Sequence, residues 1–154
     1  MPRLRDARDE DSAGVIALIG AVFDEYEGCV LDVDAEEPEL RAPASSFDRF
    51  WVLESDGTVV GCAACSLRLP VLEMKKIYLA SSLRGQGWGR RLIQRVEEEA
   101  RAVGAERIEA WSDTRFTTAH AVYRRMGYET GPETRFLHDL SGTEEYYFSK
   151  RLDP

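Results

Sequence analysis

A glycine-rich loop, Arg84-Gly85-Gln86-Gly87-Trp88-Gly89, has the residue types and spacing best suited to binding a phosphate. It lies within residues 74–96, a window that contains Lys and Arg but no Asp or Glu, although the formal net charge of the chain is −8. Glycines let a ligand approach the backbone closely, and the free N–H groups at a helix start bind anions. We therefore predict that this loop binds a small molecule that carries phosphate.

The helix predicted after the loop carries its charges in an order that the helix dipole makes unfavourable. Apolar residues recur with helical spacing from Trp88 to Val103. The helix would begin with Arg90 and Arg91 and end with residues 97–99, all glutamate, whereas a dipole favours acids first and bases last. An anion bound at the first turn would compensate for this order, so the charge pattern also indicates a phosphate site.

The elements that must position the loop follow from the hydrophobic pattern. Predicted strands cover residues 2–7, 50–55, 58–66, 72–79, 106–111, 128–130 and 145–152, and predicted helices cover 15–23, 88–103 and 119–126, with a further short helix within 28–46. Hairpins followed by strand–helix alternation predict a single α/β domain over residues 1–154. We expect a mixed central sheet of about six to seven strands with about four helices.

Common phosphate-binding motifs distinguish the possible identities of the loop. A dinucleotide fingerprint that begins at Gly85 needs glycine at the position of Arg90, and a P-loop needs Gly-Lys followed by Ser or Thr, so neither motif fits. Arg84, Gly87 and Gly89 instead match the pattern Arg/Gln-x-x-Gly-x-Gly/Ala. This pattern resembles the pyrophosphate loop of the GNAT superfamily of N-acetyltransferases. The alternative is an ordinary glycine-rich turn.

The resemblance covers most of residues 50–130. The hairpin turn at Asp56-Gly57, the strand Leu72–Leu79 and the segment Ala119–Tyr128 are similar to other parts of the GNAT pattern. It implies a sheet that splays between strands 4 and 5, with acetyl-CoA as acyl-donor cosubstrate in the gap. Ser81 stands where many relatives have proline, and Phe116 stands where many have asparagine, so the role of that asparagine has no counterpart here.

The resemblance also implies roles for individual residues of the loop and of the strand before it. The loop backbone of Arg84, Gly85, Gln86, Gly87, Trp88 and Gly89 would hold the pyrophosphate. Ile77, Tyr78 and Leu79 would pair their backbone with the pantetheine arm, as an added strand does. A backbone N–H in that strand would polarise the thioester carbonyl, as in an oxyanion hole.

Tyr123 is the candidate general acid. Acyl transfer to an amine expels a thiolate, and a nearby phenol can return a proton to it. The GNAT resemblance places a tyrosine at this position for that task. The alternative is core packing, because Tyr123 shares an apolar helical stripe with Val122 and Met126.

Glu73 is the candidate general base. An attacking amine must first lose a proton, and a carboxylate beside the site would help. Glu73 occupies the place of the glutamate that the histone-acetylating branch of the superfamily uses. The alternative is a solvated carboxylate paired with Lys75 or Arg68, with ordered water, His120 or His138 taking the proton instead.

The cysteines and acids suggest other roles less strongly. Cys62 and Cys65 fall within one predicted strand, where their side chains point to opposite faces, so we predict core packing and no metal site. Acids crowd residues 24–39, where the resemblance places the rim of the acceptor pocket. Such a rim would attract a cationic amine, although a solvated acidic face is the simpler interpretation.

Composition limits the partners. The net charge of −8 disfavours nucleic acid and anionic membranes, and no apolar run approaches the roughly 20 residues of a membrane span. Three cysteines give no disulfide framework, which suits a cytoplasmic location. A homodimer is the common default for soluble proteins. We predict an N-acetyltransferase acting on a primary amine of a small molecule or peptide, the alternative being a non-catalytic coenzyme A-binding sensor or complex subunit.

Overall fold

A mixed sheet forms the centre of the molecule in the computed structural model, which describes residues 1–153. Its strands are β1 (Arg3–Asp6), β2 (Arg49–Ser55), β3 (Thr58–Arg68), β4 (Val71–Leu79), β5 (Arg107–Asp113), β6 (Glu129–Phe136) and β7 (Glu144–Arg151). The helices are α1 (Ser12–Phe23), α2 (Val33–Glu36), α3 (Pro43–Ser46), α4 (Trp88–Ala102) and α5 (Thr117–Arg125). The 7-stranded order is β1-β2-β3-β4-β5-β7-β6, which confirms the predicted mixed α/β fold.

Two hydrophobic cores lie on opposite faces of the sheet. Helix α4 supplies Leu92 and Val96 to one core, together with Tyr123 of α5. Helix α1 supplies Val15 and Ile19 to the other. Within residues 1–153, no helix is long and apolar enough to span a membrane.

The sheet opens between β4 and β5. These strands are parallel and pair only from Val71 with Arg107 to Met74 with Ala110, although β4 continues to Leu79. A bulge accompanies the separation, because Lys76 has a φ of 55° and the β3–β4 register shifts between Cys62 and Ala64. Bulges bend the strand that carries them. The predicted splay between strands 4 and 5 is therefore confirmed.

Strand β6 extends beyond the predicted residues 128–130. It runs from Glu129 to Phe136 at the edge of the sheet, and its register with β7 shifts between Thr130 and Thr134. Most of its side chains are exposed. An exposed edge strand buries no face, so no alternation of apolar and polar residues marks its length in the sequence.

Candidate active site

The loop after β4 has a backbone that requires glycine at defined positions. Gly85 and Gly87 have φ angles of 76° and 87°, in the left-handed region that residues with a Cβ disfavour. Gly87 is the N-cap of α4, and no side chain caps the helix there. A Cβ at either glycine would meet no atom within 4 Å. The space in front of both glycines is therefore open.

The start of α4 presents unused hydrogen-bond donors. Among residues 1–153, the backbone N–H groups of residues 85–90 donate to no protein acceptor, whereas the N–H of Arg91 donates to Gly87 O at 3.0 Å. Arg90 borders the same open space. Free N–H groups at the positive end of a helix dipole attract anions. This segment can therefore bind a phosphate group without any rearrangement of the backbone.

Arg84 contributes to the loop through its own anchoring. Its guanidinium pairs with Glu25, with Nη2 at 2.9 Å from Oε2, and donates to Leu79 O at 3.0 Å. The hydrogen bond to Glu25 raises the pKa of Arg84 above its ordinary value. The side chain thus ties the loop to β4 and to the segment after α1. Sequence reasoning had predicted only the backbone role of Arg84.

A cleft of about 420 Å³, here called the loop cleft, extends from this helix start along the splayed strand. Of the predicted binding residues, Ile77, Tyr78, Leu79, Arg84, Gly85, Gly87 and Gly89 line it. Gln86 and Trp88 do not: Gln86 Nε2 donates to Ser82 O at 3.2 Å, and Trp88 packs against the core. Beyond Met74, the edge of β4 that faces β5 has no partner strand. An extended ligand can pair with that edge.

A second cavity of about 480 Å³, here called the acidic cavity, meets the loop cleft at the splay. Ile77, Tyr78, Phe116 and Tyr123 line both spaces. The two spaces therefore adjoin at these four side chains.

Tyr123 lies at this junction. Its side chain is 4% exposed and packs against Tyr128 and Phe148, with ring centroids 5.8 and 5.2 Å away. Its hydroxyl has no hydrogen-bond partner among the described residues, and Tyr123 lines both spaces. Burial raises the pKa of Tyr123 above its ordinary value, so the phenol keeps its proton at neutral pH. Tyr123 therefore packs in the core and also lines the loop cleft.

Glu73 lies away from the junction. It pairs with Ser66 of β3 and Glu109 of β5, where the sheet is still closed, and it lines neither the loop cleft nor the acidic cavity. It forms no ion pair with Lys75 or Arg68 in the described chain. The structure thus does not bring Glu73 together with Tyr123, and its role as a base stays a prediction.

The histidines differ in their relation to the cavity. His120 is 2% exposed, and its Nε2 lies 3.0 Å from Ser112 Oγ. Ser112 lines the acidic cavity. Burial, followed by the charge of Arg124, lowers the pKa of His120. His138 packs against Phe136, with ring centroids 5.6 Å apart. Only His120 therefore has a hydrogen-bonded link to the cavity wall.

Phe116 forms part of an aromatic wall that sequence reasoning did not anticipate. Its ring lies 5.0 Å from Tyr26, 6.2 Å from Tyr78 and 6.3 Å from Phe23, measured between centroids. The residue that departs from the asparagine pattern therefore lines both the loop cleft and the acidic cavity. The departure itself was the only signal for this role in the sequence.

The acidic cavity takes its name from its carboxylates. They are Glu36, Glu37, Glu39, Asp113, Asp139 and Glu145, and the cavity is also lined by Lys75 and Lys76. Residues 36, 37 and 39 belong to the acid-rich stretch predicted to border an acceptor pocket. The other acids come from β5, from β7 and from the segment before β7, so only the folded chain brings them there.

Comparisons with known proteins agree on one family. A family model described as acetyltransferase (GNAT) family matches residues 17–128. An IAA acetyltransferase of Azospirillum brasilense is 30% identical over 136 residues, covering 86% of this chain and 89% of that protein. Some other relatives are longer, and the chain spans only 22% to 37% of their length.

Solved structures share the fold. An acetyltransferase of GNAT family from Staphylococcus aureus Mu50 superposes with a TM-score of 0.84 at 15% identity, covering 99% of this chain and 100% of that chain. The structure of yncA from Salmonella typhimurium, solved with its cofactor acetyl-CoA, superposes with a TM-score of 0.74 at 17% identity, covering 100% of this chain and 95% of that chain.

Proposed function

This chain belongs to the acetyltransferase (GNAT) family, and we propose that it transfers an acetyl group from acetyl-CoA to a primary amine by direct attack. The observation that carries the proposal is the adjacency of the loop cleft and the acidic cavity, which share Ile77, Tyr78, Phe116 and Tyr123 in their walls. The free amides of residues 85–90 and the unpaired edge of β4 border the loop cleft, and Tyr123 lines both spaces.

The donor fits the loop cleft by its chemistry. The amides of residues 85–90 and the guanidinium of Arg90 would hold the diphosphate. The open edge of Ile77, Tyr78 and Leu79 would pair with the amides of the pantetheine arm. These contacts would bring the thioester to the splay, where an amide N–H of β4 can stabilise the oxyanion that forms during attack.

Tyr123 would act on the leaving group. Attack forms the N–C bond of the amide and breaks the C–S bond, and the Tyr123 hydroxyl gives its proton to the departing thiolate sulfur. The proton that the amine loses goes to water, and solvent returns a proton to Tyr123. The raised pKa of Tyr123 keeps the phenol protonated at neutral pH, as a proton donor must be before the C–S bond breaks.

The proton that the amine loses needs an acceptor. Glu73 was the predicted base, but its position outside both spaces supports proton loss to water in the acidic cavity, whose carboxylates attract the released proton. His120 does not line the cavity itself, and its Nε2 lies 3.0 Å from Oγ of the lining residue Ser112. We therefore propose water as the acceptor and treat Glu73 as a hypothesis that mutation tests.

The direct test measures release of free thiol from acetyl-CoA in the presence of a panel of primary amines. We expect amine-dependent thiol release together with an acetylated amine identified by mass spectrometry. Tight binding of acetyl-CoA without thiol release for every amine would refute the proposal and would favour a coenzyme A-binding sensor. An absence of acetyl-CoA binding would refute both functions.

A further inference from the structure

The carboxylates of the acidic cavity differ in whether a cation already neutralises them. Glu37 pairs with Lys76, Asp113 lies 3.4 Å from Arg115, and Glu145 lies 2.7 Å from Arg135. These pairs are internal to the protein. They therefore leave little charge for a ligand to balance.

The remaining carboxylates of the cavity have no cationic partner in the described chain. Glu36 accepts from Leu140 N at 2.9 Å, and Asp139 accepts from Thr143 N and Oγ1 at 2.8 and 2.7 Å. The Glu39 carboxylate, which belongs to a cavity-lining residue, accepts no hydrogen bond from residues 1–153, whereas the Glu39 backbone carbonyl accepts from Ala42 N at 3.2 Å. Hydrogen bonds from neutral groups stabilise a carboxylate without cancelling its charge. This side of the cavity therefore stays negative.

These unneutralised acids occupy one region of the wall. Glu36 and Glu39 lie within and just after α2, and the bond from Leu140 N to Glu36 joins that segment to the one that holds Asp139. Lys75 is the only cavity-lining cation without an acidic partner in the described chain. The local balance of unpaired groups is thus acidic, in agreement with the chain as a whole.

Tyr123, which lines the same cavity, gives an independent sign of a ligand. Its side chain is 4% exposed, and its hydroxyl has no hydrogen-bond partner among the described residues. The aromatic rings of Phe23, Tyr78 and Phe116 also line the cavity and pack against one another. An unpaired hydroxyl, an aromatic surface and unneutralised acids in one cavity match a molecule with an amine, a methylene chain and a second cation.

We propose that the acceptor is a small aliphatic diamine, an inference that rests on the proposed function. One nitrogen, neutral at the moment of attack, reacts beside Tyr123. The other stays an ammonium ion near Glu36, Glu39 and Asp139, while the methylenes pack against Phe23 and Phe116. Only one nitrogen is acetylated in each turnover, and the atoms balance as in the reaction above.

Four-carbon amines that differ only at the far end test this inference. We expect kcat/KM for 1,4-diaminobutane to exceed that for butylamine by about fivefold, and 4-aminobutanoate to be poorer than butylamine, because one charge at a partly exposed site changes affinity by up to roughly fivefold. The preference should weaken as ionic strength rises. Equal or better turnover of butylamine, 4-aminobutanoate or a short peptide would overturn the inference while leaving the proposed function intact.

Variants separate the far-end charge from general effects. Glu39→Gln should lower kcat/KM for the diamine roughly three- to fivefold and for butylamine less than twofold. Glu106→Gln, an exposed acid next to the far end of β5, should change neither. Lys75→Gln should preserve or improve diamine turnover. A loss of diamine turnover in Lys75→Gln, or equal losses for both amines in Glu39→Gln, would contradict the inference.

Discussion

Replacement of Gly87 by Asp tests the phosphate site most sharply. Gly87 has a φ of 87° and caps α4 without a side chain. Asp tolerates the left-handed region better than most residues, so we expect a strain of about 1–2 kcal/mol. A Cβ at this position would meet no atom within 4 Å. The fold should therefore remain intact, with a loss of stability of about that size.

The effect on binding should be larger than the effect on folding. The new carboxylate would compete with the diphosphate for the amides near residue 89. Two like charges about 5 Å apart repel by about 3 kcal/mol at an effective dielectric constant of about 20. A loss of 3 kcal/mol corresponds to a weakening of roughly 100-fold or more. We expect this loss in the Kd for coenzyme A, measured by titration calorimetry.

Gly104→Asp is the matched control. Gly104 has a φ of 75°, is also surrounded by open space, and follows the last turn of the same helix. An acid there is unfavourable for the helix dipole by about 1 kcal/mol, yet it lies far from the loop. Its coenzyme A affinity should match wild type. A Kd for Gly87→Asp within threefold of wild type, or an equal loss in Gly104→Asp, would refute the phosphate-site reasoning.

Three further outcomes test the catalytic assignments. Tyr123→Phe should lower kcat about 100-fold and leave coenzyme A affinity within twofold, since general acids contribute at least about a factor of 100 to the rate. Tyr147→Phe is the control and should retain activity, because the Tyr147 hydroxyl donates to Glu109 outside both spaces. An unchanged rate in Tyr123→Phe would remove Tyr123 from the mechanism. Glu73→Gln should keep kcat within twofold, and a large loss would restore Glu73 as the base. Burial raises the pKa of Tyr123, and an acid with a raised pKa stays protonated beyond its ordinary value of about 10, so kcat should show no descending limb between pH 7 and 10. A descending limb in that range that is absent in Tyr123→Phe would contradict the raised pKa of Tyr123.

The parts of the fold that the sequence predicted well are those with strong local signals. The Asp56-Gly57 turn and the apolar stripe of α4 define the β2–β3 hairpin and the main helix, and both elements lie where the pattern placed them. Strand β6 was underestimated, because an exposed edge buries no apolar face. The bulge at Lys76 was not anticipated either, since only the pairing with β3 creates it.

The candidate site also contains residues that a local sequence pattern marks and residues that only folding brings together. The glycine loop and Tyr123 belong to short contiguous patterns, and both border the loop cleft. The acids Asp113, Asp139 and Glu145 are separated along the chain and meet only through the order of β5, β7 and β6. No local pattern marks them, so sequence reasoning could name the acid-rich stretch before Leu40 but not the opposite wall.

The charge order of α4 has two causes, and only the anion site at its start was predicted from the sequence. The acids at its end have tertiary partners: Glu97 accepts from Tyr128 and Lys150, and Glu99 lies 3.3 Å from Arg49. These contacts account for the acidic end without any ligand. At the start, Arg91 pairs with Glu98 at 2.9 Å, whereas Arg90 has no ion-pair partner in the described chain and borders the loop cleft. The case for a bound anion therefore depends on Arg90 and the free amides beside it, and not on the reversed dipole order of the whole helix.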